Sequence, residues 1–251
     1  MSRLKQSGLT EVPAINAYTD FFVNGIWGLQ SIDYHFVPHP QVRTWLVRQG
    51  VEENRIFVTG IPVHPLMKSR REDAERKPGI WNIMITGGSL GVGGIESWMN
   101  VTEVSGKIHF HVLCGKNEKL YRKLRNFGHP CITPHPYIAC REEMSRFYDR
   151  MDGVVTKPGG VTVSECLHKQ LPIFIDQALP GQEEINLRHL LNWQLVVPLQ
   201  SKANKERELL SRLEAEENLR SLKMRMAQYQ ASLKDGDLET LLRKILDNSK
   251  R

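Results

Sequence analysis

A chain of 251 residues, 40% hydrophobic and 25% charged, holds enough apolar side chains for one large core or two small ones. Its 19 glycines and 13 prolines are spread through it, which excludes disordered and collagen-like classes. The excess of 34 Lys and Arg over 28 Asp and Glu gives a net charge of +6 and favours anionic partners. The bases are mostly interleaved with acids, and neither an RNA-binding aromatic motif nor zinc-finger spacing appears, which argues against nucleic acid.

Residues 1–10 are polar and do not read as a signal peptide, and no apolar run approaches the roughly 20 residues needed to cross a bilayer. Three short apolar runs, 12–18, 33–37 and 56–59, read as strands. Val42, Trp45 and Leu46, closed by Gly50, mark a helix between the last two. Residues 63–79 are charged and end in Lys77-Pro78-Gly79, as a connection between domains does. Beyond them strand-like runs at 81–86, 107–114, 130–133, 153–157, 172–176 and 193–198 alternate with helical stretches. That alternation predicts an α/β fold with a parallel sheet wrapped by helices. Leu219, Leu222, Met226, Tyr229 and Leu233 form one helical face, too short for a coiled coil and expected to pack on its own domain. A last helix is expected over 238–246. The four cysteines, Cys114, Cys131, Cys140 and Cys166, lack CxxC pairing and read as reduced thiols in a cytoplasmic protein.

Two glycine-rich turns fall where a strand ends and a helix begins. They are Thr86-Gly87-Gly88-Ser89-Leu90-Gly91 and Lys157-Pro158-Gly159-Gly160-Val161-Thr162. Glycine admits a ligand close to the backbone, and a helix N-terminus presents free N–H groups to phosphate. Two such turns on one sheet edge point to one ligand crevice. The two common nucleotide folds are disfavoured. Cys114-Gly115-Lys116-Asn117 offers no ribose-binding carboxylate after the second strand, and no GxxxxGK[ST] occurs. Glu165, about a turn into the second helix, can reach vicinal ribose hydroxyls, although a solvated surface glutamate is ordinarily the better reading of such a position. Asp176, Gln182, Glu183 and Asn186 around Pro180-Gly181 suit sugar hydroxyls, and a loop with a helix cap explains them equally well. His109 and His111 share one strand face with no third metal ligand in view.

The phrase 157–165, KPGGVTVSE, followed by Pro180-Gly181-Gln182-Glu183 and Asn186, resembles the donor half of a glycosyltransferase family. That family contains monogalactosyldiacylglycerol synthases, processive diacylglycerol glucosyltransferases and the lipid II-forming N-acetylglucosaminyltransferase. Upstream, Tyr18-Thr19-Asp20-Phe21-Phe22 with Trp27, Asp33-Tyr34-His35-Phe36-Val37 and Val58-Thr59-Gly60-Ile61-Pro62-Val63 resemble the lipid branch. The match runs in order from about residue 12 to 198 and includes the GGSLG turn.

The resemblance implies a GT-B architecture of two Rossmann-like domains. It assigns 1–64 to the remnant of an amino-terminal acceptor domain, 65–79 to a linker, 80–200 to a UDP-sugar donor domain and 201–251 to carboxy-terminal helices. It implies a UDP-hexose donor, a membrane lipid acceptor such as diacylglycerol, no metal or other cofactor, and a peripheral place on the inner face of an anionic membrane. The backbone near Tyr137 and Ile138 would hold uracil and Glu165 the ribose. Gly88, Ser89 and Gly160 would lie at the diphosphate, and Gln182 and Glu183 would face the hexose. Members often carry arginine directly after the Gly-x-Pro-Val phrase. Here the residue is His64, whose neutral imidazole stabilises a departing UDP less than a guanidinium does. The family's opening strand and glycine turn, with its histidine base, has no counterpart in these residues, so no catalytic residue is assigned and an amino-terminal truncation is expected. The chain alone is then expected to bind donor without transferring it. The alternative is a non-catalytic UDP-sugar-binding half that works with a partner chain.

Overall fold

A computed structural model describes residues 2–68, 79–87, 98, 105–201, 203–235 and 238–248. The chain divides into two compact units, Met1–Pro62 with Gln228–Arg251, and Val63–Ala227.

The first unit opens with α1 (Ser2–Gln6) and holds a parallel sheet, β1 (Ile15–Ala17), β2 (Tyr34–Val37) and β3 (Ile56–Val58), in that order. Strand β1 is shorter than the 12–18 run predicts. Val12 is exposed, and Pro13 has no N–H to give a ladder. Asp33 stays outside β2 because its carboxylate accepts from Ala14 N at 2.7 Å and pairs with Lys5 at 2.8 Å. Helix α2 (Pro40–Arg48) starts where His39 accepts from Gln41 N and Pro40 fixes the first turn. Its buried Val42 and Leu46 meet Tyr18, Val37, Ile56 and Val58. The chain's return closes this core. Tyr229 donates to Pro38 O at 2.8 Å, Asp235 accepts from Val58 N at 2.9 Å, and Leu233 packs on the cluster. Gly60, at φ +76°, faces Leu233 so closely that a Cβ would lie 2.9 Å from Leu233 Cδ1.

In the second unit six parallel strands alternate with helices. They are β4 (Trp81–Thr86), β5 (Ile108–Leu113), α3 (Glu118–Phe127), β6 (Ile132–His135), α4 (Arg141–Asp149), β7 (Gly153–Thr156), α5 (Gly160–His168), β8 (Ile173–Ile175), α6 (Gln182–Asn192), β9 (Val197–Pro198) and α7 (Lys205–Glu214). The strand order is β6-β5-β4-β7-β8-β9, so the α/β parallel sheet expected from the sequence is present. Strands β7 and β8 are buried along their whole length, as a parallel sheet covered on both faces requires. Ile83, Phe110, Val112, Val155 and Phe174 form its core with Leu209 and Leu213 of α7. Strand β9 has only two of the six residues predicted over 193–198. Trp193 N and Leu195 N still bond back to His189 O and Leu190 O, and the chain turns through Gln194 at φ +54° before it can pair.

Helix α8 (Glu216–Ser232) carries the predicted apolar stripe, with Leu222, Met226 and Tyr229 buried. The division between units falls inside α8, after Ala227, and α9 (Leu238–Asn248) lies wholly in the first unit. Residues 201–251 are thus shared between the two units, and the stripe along α8 is divided between them. No described helix is long and apolar enough to cross a membrane.

Candidate functional site

The chain leaves β4 for β5 and β6 on one side of the sheet and later places β7, β8 and β9 on the other. Crossovers that depart in opposite directions open a crevice at the carboxyl ends of the two central strands. Those ends are Thr86 of β4 and Thr156 of β7, paired in register. A cavity of about 370 Å³ opens at this edge, within the size range of small-molecule sites. Thr86, Tyr137, Arg141, Tyr148, Thr162 and Glu165 are among the side chains that line it.

One wall is the start of α5. Its N-cap is Gly159, which has no side chain to accept from the first turn, and a helix start without a side-chain cap suits an anion. Two nearby glycines differ in why they are glycine. At Gly153 a Cβ would press on Phe174 Cε2 at 3.1 Å and Ile83 Cδ1 at 3.3 Å, a packing constraint. At Gly159 a Cβ would meet nothing within 4 Å, and φ is an ordinary −78°. Neither backbone strain nor packing demands a glycine at 159, and the space beside it is open.

Glu165 sits on the same helix and reaches the cavity. Tyr148, from α4, donates its hydroxyl to Glu165 Oε2 at 2.8 Å. Among the described residues Glu165 Oε1 has no hydrogen-bond partner. Burial pushes the Glu165 carboxyl above its ordinary value, while the Tyr148 hydrogen bond and the Arg141 charge pull it down. The group is thus a partly desolvated acceptor on the cavity lining, with one oxygen anchored by Tyr148 and the other without a hydrogen-bond partner among the described residues.

The other sequence-derived residues fall into distinct places. Tyr137 and Ile138, on the loop after β6, line the cavity, and Lys116 Nζ lies 5.5 Å from the Tyr137 ring centroid. Gly160 is the first residue of α5. Gln182 is exposed at the start of α6. The Glu183 carboxylate is already engaged, by Lys157 Nζ at 2.9 Å and Leu179 N at 2.8 Å. His64 precedes the 3-10 turn Pro65–Lys68 and accepts from Leu66 N at 3.4 Å, and it does not line the cavity. Gly88 and Ser89 lie outside the described residues.

Two polar groups have structural partners instead. Asp176 accepts from Lys205 Nζ at 2.7 and 2.8 Å and from Trp98 Nε1 at 2.9 Å. His111 meets His135 at 3.1 Å and Asn82 at 3.3 Å, while His109 meets Thr133 at 2.8 Å, so the histidine face is satisfied across β4, β5 and β6. Sequence reasoning missed Tyr148, Arg141 and Lys157 as neighbours of the site. Tyr148 lies 17 residues before Glu165 with no motif linking them. Lys157, by contrast, stands inside the glycine-rich phrase and could have been read from it.

The description "Monogalactosyldiacylglycerol (MGDG) synthase" belongs to the family that matches residues 1–63. The uncharacterized glycosyltransferase YkoN of Bacillus subtilis (strain 168) is 40% identical over 248 residues, covering 98% of this chain and 66% of that protein. A processive diacylglycerol beta-glucosyltransferase of Bacillus pumilus (strain SAFR-032) is 25% identical over 245 residues, 95% of this chain and 63% of that protein. The chain thus spans just under two thirds of these curated relatives. The crystal structure of Acinetobacter baumannii MurG superposes with a TM-score of 0.60 at 16% identity, covering 88% of this chain and 64% of that one. Along nearly its whole length this chain is similar to part of the glycosyltransferases that include the monogalactosyldiacylglycerol synthases and the processive diacylglycerol glucosyltransferases, and its parallel sheet with a switch-point crevice has the GT-B fold.

Proposed function

We propose that this chain carries the donor site of a hexosyltransferase that moves sugar from a UDP-hexose to a membrane lipid such as diacylglycerol, without a metal. The observation that carries the reading is Glu165, its Oε1 without a partner among the described residues, on the cavity wall beside the N-terminus of α5. In this reading the backbone at Tyr137 and Ile138 receives uracil, Glu165 accepts from ribose hydroxyls, and the first turn of α5 receives the diphosphate. As the bond to the sugar breaks, negative charge grows on the departing UDP. The N–H groups and dipole of α5 are already oriented to stabilise it. The net charge of +6 suits attachment to the anionic inner face of a membrane.

Glu165→Ala should weaken UDP binding by about 1.5–3 kcal/mol, the worth of a charge-assisted hydrogen bond, as read by calorimetry without divalent cations. A folded chain that binds no UDP, or an unaltered affinity in the variant, would count against the assignment. Formation of glycosylated diacylglycerol by the purified chain separates an enzyme from a donor-binding half.

The hexose contacts are tested separately. Replacing Gln182 and Glu183 together by alanine should erase the affinity difference between UDP-hexose and UDP. UDP affinity itself should hold or rise, because Lys157 is released from Glu183. Equal losses for both ligands would remove these residues from the sugar site.

A further inference from the structure

We infer that Tyr148 is a positioning residue for the nucleotide: its buried hydroxyl fixes the Glu165 carboxylate so that Oε1 is presented to the vicinal hydroxyls of a nucleoside diphosphate in the cavity. The inference rests on the donor-site reading above. It begins from the unequal surroundings of the two carboxylate oxygens. Oε2 takes the Tyr148 hydroxyl at 2.8 Å, and Oε1 has no partner among the described residues. The tyrosine is itself held, with 1% of its surface exposed and its ring in the packing of α4. A glutamate near a cavity ordinarily samples several rotamers. Tying one oxygen to a rigid phenol removes that freedom before the ligand arrives.

Electrostatics adds to the geometry. Burial pushes the Tyr148 phenol well above its ordinary value, so it stays a donor at every working pH. Burial also raises the Glu165 carboxyl, and the Tyr148 bond and the Arg141 charge oppose that rise. Among the described residues the titratable groups that face Glu165 are Tyr148 and Arg141 from α4 and Cys166 on its own helix, whose thiol burial pushes far up and keeps neutral. Removing the phenol hydroxyl leaves Arg141 as the remaining influence that favours the ionised acceptor. Glu165 then takes up a proton at a higher pH and loses Oε1 as an acceptor for ribose. A role confined to packing would change neither ligand choice nor this midpoint, because phenylalanine keeps the ring.

The test is calorimetric titration of the 251-residue chain and its Tyr148→Phe variant with UDP and with 2′,3′-dideoxy-UDP, from mildly acid to mildly alkaline pH. UDP affinity should fall about tenfold in the variant, and dideoxy-UDP affinity should be unchanged. The acid-side loss of UDP affinity should move to higher pH. Equal losses for the two ligands, or an unmoved pH profile, would overturn the role. Should Tyr148→Phe fail to fold, 3-fluorotyrosine at position 148 keeps the shape and donates more strongly, so the midpoint should move down; no movement would overturn the role. If the unsubstituted chain binds UDP and dideoxy-UDP equally, the ribose site itself is wrong and the inference falls with it. If it discriminates and the variant does so equally, the inference alone fails.

Discussion

Asp176→Ala should cost about 1–3 kcal/mol of stability, the cost of leaving a buried hydrogen-bonding group without its acceptor. Asp176 follows β8 and lies 10% exposed against a 12% exposed Lys205. Its two oxygens take the Lys205 ammonium at 2.7 and 2.8 Å, and Oδ2 also takes the Trp98 indole N–H at 2.9 Å. Alanine strips a desolvated ammonium of that carboxylate and leaves a buried indole donor without its acceptor. Chemical denaturation should show a lower midpoint with little change in slope. Replacing both charged residues by apolar ones of similar volume, Asp176→Leu with Lys205→Met, should recover the part of the loss due to the ammonium and not the part due to the Trp98 indole N–H. A loss below about 1 kcal/mol for the single variant would mean that the pair behaves as a surface pair does.

Mild acid should destabilise the second unit as strongly. Burial drives His111 down to about 4, helped by the charges of His109, His135 and Arg150. Burial also drives His135 to about 4, with Arg150 and His109 adding, and His168 to about 4 beside Lys68. An unfolded chain takes up these protons near the ordinary value of 6.5, before the folded one does. The sign follows from that order. Stability is complete above 6.5 and is lost as pH falls from 6.5 toward 4. The three groups together contribute on the order of several kcal/mol. Glu165, held above its ordinary value by burial, opposes this by a single group. Melting followed across that window should show the fall, and His111→Asn with His135→Asn should flatten it. A melting temperature that holds steady from neutral pH to about 4 would mean that these rings are hydrated in the folded chain.

Most strands were legible because they are apolar runs bounded by glycine, proline or charge, and β4 spans the predicted 81–86, while β6 lies at 132–135 against the predicted 130–133. Their order was not, because pairing between distant runs leaves no local trace. The place of β7 beside β4, which creates the crevice, is a matter of topology. The glycine phrase at 157–162 announced a turn next to a helix N-terminus, and Gly159 fulfils it with open space where a side chain would stand. The partners of the candidate acids were hidden for a different reason. Tyr148 reaches Glu165, Lys157 reaches Glu183 and Lys205 reaches Asp176 through tertiary approach, which no spacing rule encodes. That is why Asp176, which looked suited to a sugar, is engaged with Lys205 and Trp98. The last fifty residues misled because helical periodicity reports that a face is buried and not against what. The single stripe along α8 is divided between two units.

The central claim is that the cavity at the carboxyl ends of β4 and β7 receives the UDP moiety. Amide hydrogen exchange with and without UDP tests it most directly, because the proposed ligands include backbone N–H groups in the first turn of α5 and on the loop after β6. Saturating UDP should slow exchange at Gly160, Val161 and Thr162, and at Tyr137 and Ile138, with β9 and α9 unaffected. A folded chain whose exchange does not respond to UDP, or responds only away from these positions, would contradict the account.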